Sequence, residues 1–225
     1  TGQVSSLPLQ LVNRSAGTIT GTAEVSGESV ASLPDDATKL LLQMDGPNGS
    51  TKFSDSAAAA KSISTFGDVH IGTTESKFGS AAASFDGNGD YLTVPDSPDF
   101  DFGSGDFTVD FWVKFNSLGT VGLWSQPSGS AGTSFAAFYL VPTGWQFALA
   151  NGSYLIDPVA LDSLTIGNWY HVALVRHGNE WMIYRDGVLK RSITSATSYV
   201  DYSGPFTIGA LNRLPFAIEA FVNGS

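Results

Sequence analysis

Apolar residues recur along this chain with period two, in short runs broken by Gly, Asn, Asp, Ser and Thr. The clearest run is Phe107-Thr108-Val109-Asp110-Phe111-Trp112-Val113-Lys114-Phe115. Successive strand side chains point to opposite faces, so its odd positions predict a buried face and place Trp112 on the other one. A second group follows as "NWYHVALVR" (168–176), "EWMIYR" (180–185) and "VLKRSI" (188–193), separated by His177-Gly178-Asn179 and by Asp186-Gly187. Asp-Gly between strands favours a primed hairpin turn, because both central residues need positive φ. Further strands are predicted at 40–44, 81–85, 91–94, 121–125, 135–141, 145–149 and 205–210. No long 3.6-residue period competes with them. This much alternating apolar surface is hidden by stacking two sheets, so the fold class is all-β, a two-sheet antiparallel β-sandwich of the jelly-roll type.

Composition narrows the partners. The 225 residues carry 11 basic and 21 acidic side chains, a net charge of −10, and the basic ones are scattered. Phosphate binding needs clustered positive charge, which argues against nucleic acid. No apolar run approaches the roughly 18 residues of a membrane helix, so no membrane insertion is expected. The chain has no cysteine, which removes disulfides and thiolate metal sites.

Four segments in order, "LLLQMDGPNGSTKFSDS" (40–56), "SKFGSAAASFDGNGDYLTVPDSPDFDFGSGDFTVDFWVKF" (76–115), "NWYHVALVR" (168–176) and "IYRDGVLK" (183–190), resemble the laminin-G-like branch of the concanavalin A-like lectin/glucanase superfamily. The version with "DGPNGST" and "FGSGDFTVDFWV" is similar to domains of bacteriophage tail or virion proteins and of secreted bacterial proteins. The resemblance implies a sandwich over residues 38–225, preceded by an extended arm or linker at 1–37. It also implies a closing strand similar to "GYIDELRVS", which has no counterpart before Ser225. Either the sequence is truncated there, or the arm, whose "TITGTAEVSGESV" (18–30) alternates weakly, or a neighbouring subunit covers the edge left open.

Candidate chemistry lies in two places. In "FDGNGDYLTV" (85–94), Asp86, Asn88 and Asp90 could seat calcium, which takes carboxylate and carbonyl oxygens. The competing reading is a turn in which Asp86 and Asn88 bond the backbone and glycine supplies positive φ. Trp112, Trp145, Trp181, Tyr199 and Tyr202 are candidate platforms for a ligand with apolar sugar faces. Trp181 faces outward if Met182 and Tyr184 face inward. His171 is read as a structural histidine, and His70 and His177 as loop residues.

Glucanases of the superfamily carry closely spaced carboxylates on one strand, resembling Glu-x-Asp-x-x-Glu. None of Glu24, Glu28, Glu75, Glu180 and Glu219 has such a neighbour on a strand of the sandwich. The sequence therefore points to a non-enzymatic recognition or adhesion module of a virion or extracellular protein, binding carbohydrate or a host surface receptor. The alternative is a structural or decoration protein of a virion, using its arm and open edge for contacts with neighbouring subunits in a homo-oligomer or larger assembly.

Overall fold

The computed structural model describes residues 9–13, 36–128, 134–141, 144–151, 154–156, 164–213 and 217–225. The strands are β1 Leu9–Asn13, β2 Thr38–Leu42, β3 Ser64–Phe66, β4 His70–Gly72, β5 Ala82–Asp86, β6 Tyr91–Val94, β7 Phe107–Lys114, β8 Val121–Pro127 and β9 Ser134–Val141. They continue as β10 Gly144–Asn151, β11 Tyr154–Ile156, β12 Trp169–His177, β13 Glu180–Arg185, β14 Val188–Thr194, β15 Phe206–Ile208, β16 Leu211–Arg213, β17 Ala217–Glu219 and β18 Asn223–Gly224. A six-stranded sheet runs β14-β13-β12-β7-β1-β2 and a seven-stranded sheet runs β11-β10-β9-β8-β15-β6-β3. Among the described residues the strand pairings are antiparallel, and two small sheets, β18-β5-β4 and β16-β17, stand beside these. Among the described residues, no helix is long and apolar enough to cross a membrane.

The sheets meet through the side chains that the alternation turns inward. Phe107, Val109, Val113 and Phe115 are buried and Phe111 is half-buried against the same core. Phe111 of β7 faces Phe138 of β9 at 6.1 Å, and Phe147 of β10 stacks on Trp181 of β13 at 5.5 Å, both across the layer interface. Asp186 and Gly187 join β13 to β14 with φ of 51° and 74°, the positive pair that a primed hairpin turn requires.

Of the expected arm, only Leu9–Asn13 and residues 36–37 belong to the described residues; "TITGTAEVSGESV" lies outside them. Leu9–Asn13 is not peripheral to the sheet. It lies between β2 and β7, with Gln10 opposite Asp110 and Leu41.

Candidate functional site

The outward positions of β7 and β12 form one surface. Register places Trp112 beside His171, Lys114 beside Trp169, and Asp110 beside Ala173. These side chains share the solvent face because their neighbours Phe111, Val113, Tyr170 and Val172 take the core face. The half-buried Trp112 indole lies 5.2 Å from the His171 ring, tilted by 33°. The Phe78 ring meets Trp112 edge-on at 5.3 Å, and Lys77 Nζ stands 4.1 Å from its centroid. A cation over an indole face is held by the ring quadrupole. His171 Nε2 is 2.9 Å from Asp110 Oδ2, while the His171 backbone N–H donates to Asp186 Oδ1 at 3.0 Å. The hairpin turn after β13 therefore fixes this histidine's backbone, and β7 fixes its ring. Chemically, the cluster offers an aromatic surface, a carboxylate, an imidazole and an ammonium within one patch, a combination suited to a sugar's apolar face and hydroxyl rim.

The other four aromatic candidates are not available to a ligand. Trp145, Trp181, Tyr199 and Tyr202 are 0%, 2%, 1% and 0% exposed, so nothing can stack on them. For Trp181 the strand parity is the reverse of the expectation. It shares the inner face with Ile183, whereas Met182 and Tyr184 are half-buried on the outer one. Tyr199 and Tyr202 pack edge-to-face at 5.1 Å inside the core, and the Tyr199 hydroxyl donates to buried Gln126 at 2.9 Å. Burial pushes the Tyr199 hydroxyl well above the ordinary tyrosine range.

The acidic loop is built as a turn. Asn88 N–H donates to Asp86 Oδ1 at 2.6 Å, and Gly87 and Gly89 adopt φ of 87° and 84°. Asp90 is 1% exposed, and its two carboxylate oxygens accept the backbone N–H groups of Asp68 at 2.7 Å and Asp86 at 2.9 Å. Burial raises the Asp90 pKa. Asn88 is not among the residues brought together there; Asp68 is, with ligand oxygens of Asp68, Asp86 and Asp90 all within 4.8 Å of one another. Calcium takes six to eight oxygens. These three carboxylates would supply part of that shell, with backbone carbonyls and waters for the rest, while Asp90 also accepts two amides.

Sequence reasoning did not connect Asp68 to this loop, because it lies on the β3–β4 turn. It also missed a second group, Asp96, Asp101 and Asp201, whose ligand oxygens lie within 4.8 Å of one another. Burial, then Asp201 and Asp96, raises the Asp101 pKa. Chain separation, of Asp68 from Asp86 and of Asp101 from Asp201, leaves no local signal for either triad. His70 and His177 lie at strand ends rather than in loops, with His177 Nδ1 2.9 Å from Asp106 Oδ2.

A family model described as the concanavalin A-like lectin/glucanases superfamily, in laminin-G form, matches residues 86–224. The chain belongs to this superfamily. No curated protein matches it. Among solved structures it is similar to domain 4 of AbnA, a GH43 extracellular arabinanase from Geobacillus stearothermophilus in complex with arabinotriose. That likeness has 18% identity and a TM-score of 0.56, and covers 77% of this chain and 84% of the other. It is also similar to the CBM40 of the Ruminococcus gnavus IT-sialidase bound to alpha2,3 sialyllactose, with 12% identity, a TM-score of 0.45, and 52% and 70% coverage. Likeness to domains LG4-5 of the mouse laminin alpha1 chain has 16% identity and a TM-score of 0.41, with 53% of this laminin-G-like chain and 33% of that one covered. At 18% identity the likeness to the arabinanase domain shows the β-sandwich fold.

Proposed function

We propose that this chain is a non-catalytic glycan-recognition module, carried on a virion or extracellular surface, and that its sugar lies against the outer face of the six-stranded sheet at Trp112. The observation that carries this reading is the Trp112 cluster. Of the five aromatic candidates, Trp112 alone reaches the surface, and it is surrounded there by His171, Asp110 and Lys77. The arabinanase domain, of the same fold, is seen with arabinotriose, which supports the sugar class. A non-catalytic role is supported by the described glutamates. Glu75 pairs with Lys114 Nζ, and Glu180 accepts from the Ser192 and Thr194 hydroxyls, so two of the three described glutamates are engaged in ionic or hydrogen-bonded contacts with non-acidic side chains.

The test is a broad glycan array probed with the wild-type protein and with Trp112→Ala, each in calcium and in chelator. Binding of a defined glycan class that Trp112→Ala weakens at least about tenfold, with unchanged melting temperature, is the expected result. Wild-type binding that survives Trp112→Ala would move the site elsewhere. A blank array in both conditions would reject glycan recognition and favour contacts with neighbouring virion subunits.

A further inference from the structure

The surface at Trp112 continues across the same sheet face. On β12, Ala173 lies opposite Asp110 of β7 on one side and opposite Tyr184 of β13 on the other. Tyr184 points outward with Met182, because Trp181 and Ile183 take the inner face of β13. It is half-buried, so part of it meets solvent. Its hydroxyl donates to Met182 Sδ at 3.3 Å. Met182 is the next residue along the strand on that face, so the bond leans the ring along β13 and lays it over the sheet. Its partner on β12 is only an alanine, and pairing on that side covers little of the ring.

The spacing of the two aromatics sets what can touch both. Trp112 and Tyr184 are separated by two strand steps across the sheet and by one outward position along it. At about 4.8 Å per strand and ~3.4 Å per residue, their Cα atoms lie roughly 12 Å apart. Rings in contact have centroids about 4.5–7 Å apart, so one sugar ring cannot lie against both aromatics. Between them the outward residue of β12 is Ala173, 7% exposed, whose methyl group makes a floor rather than a wall. Partners for sugar hydroxyls stand at both ends. Asp110 and His171 lie beside Trp112, and Glu180 with Ser192 and Thr194 lies beyond Met182.

We propose that Tyr184 is a second platform of the Trp112 site, and that the ligand is a linear glycan crossing β7, β12 and β13. Its chain has at least about three sugars, one on Trp112, one over Ala173 and one on Tyr184. A monosaccharide or disaccharide reaches one platform only. A branch on the middle sugar that points to the sheet strikes the floor, so the site selects unbranched stretches. The inference rests on the glycan reading of Trp112, to which it adds the chain length and the residue that senses it.

The experiment is isothermal titration calorimetry of the full chain with arabinan, xylan, cellulose and mannan oligosaccharides, from monosaccharide to hexasaccharide. In the wild type, the step from disaccharide to trisaccharide is expected to tighten binding at least about tenfold. Tyr184→Ala loses that step while keeping the disaccharide affinity within about twofold, and Tyr184→Phe, which keeps the ring, retains it. Ala173→Gln leaves both rings in place but raises the floor, and it removes the trisaccharide's advantage. Trp112→Ala weakens binding at every length. Melting temperatures check that each variant is folded. The inference falls, with the Trp112 reading intact, if disaccharide and trisaccharide bind the wild type equally. It falls likewise if the step survives Tyr184→Ala or Ala173→Gln, or is lost in Tyr184→Phe. Binding on the broad glycan array with none in these series overturns it too. A trisaccharide affinity that Trp112→Ala leaves unchanged overturns the Trp112 reading and this inference with it.

Discussion

Removing the Asp90 carboxylate should cost more stability than any other change in the acidic loop. Asp90 is buried, and each of its oxygens accepts one backbone N–H, from Asp68 and from Asp86. A hydrogen bond to a charged group contributes ~1.5–3 kcal/mol, so Asp90→Ala forfeits about 3–6 kcal/mol and strands two donors. Relief of the carboxylate's own burial cost, the cause of its raised pKa, offsets part of this. The expected loss is therefore near the lower end, about 3 kcal/mol, and roughly half of that for Asp90→Asn, which keeps one acceptor. Urea unfolding at pH 7 measures it, with a melting-temperature fall of about 6–12 °C for Asp90→Ala in a chain of this size. A loss under about 1 kcal/mol would refute the idea that this carboxylate braces the loop. The pH dependence gives a second check. Because the folded-state pKa lies above the ordinary 3.8, the folded protein keeps the proton over an interval where the unfolded chain has released it. Stability from this group is present below 3.8 and falls as pH rises toward the folded pKa. The advantage of wild type over Asp90→Asn should shrink over that interval; an advantage that grows with pH would contradict the dominance of burial.

If calcium binds at Asp68, Asp86 and Asp90, it should raise the wild-type melting temperature and leave Asp86→Ala unchanged; the same response in both proteins, or none in either, rejects the ion there. Gly122→Ala should unfold the domain or cost at least ~3 kcal/mol, because the added Cβ would stand 2.2 Å from Leu211 N and 2.3 Å from Ala210 C, both backbone atoms. Circular dichroism on heating decides this, and a near-native melting temperature would refute it. His171→Ala should weaken glycan binding with a change of less than ~1 kcal/mol in stability, since its Asp110 contact is partly exposed. Parallel array binding and urea melts check it, and unchanged binding would remove His171 from the site.

Local pattern determined the strands and their faces. The odd positions of 107–115 are buried or half-buried where period two puts them, and the Asp186-Gly187 turn has the positive φ pair its composition demands. Both follow from chain geometry within a few residues, so sequence suffices. The quoted motifs extended that to the superfamily. What each aromatic does was not legible in the same way. Trp112 and Trp181 both sit on alternating strands, yet only Trp112 reaches solvent, because the inner face of β13 is chosen by its pairing with β12 and by Phe147 from the opposite sheet. Asp90 reads from the sequence as a candidate calcium ligand, and its part as a buried brace was not legible, because the β3–β4 turn delivers the Asp68 amide to it from 22 residues away. The placement of Leu9–Asn13 beside Phe107–Asp110 had no sequence signal, since a short apolar alternation fits any free edge of matching length. Strand periodicity is a property of the backbone, whereas burial, long-range hydrogen bonds and edge occupancy are set by whichever neighbour the fold brings alongside.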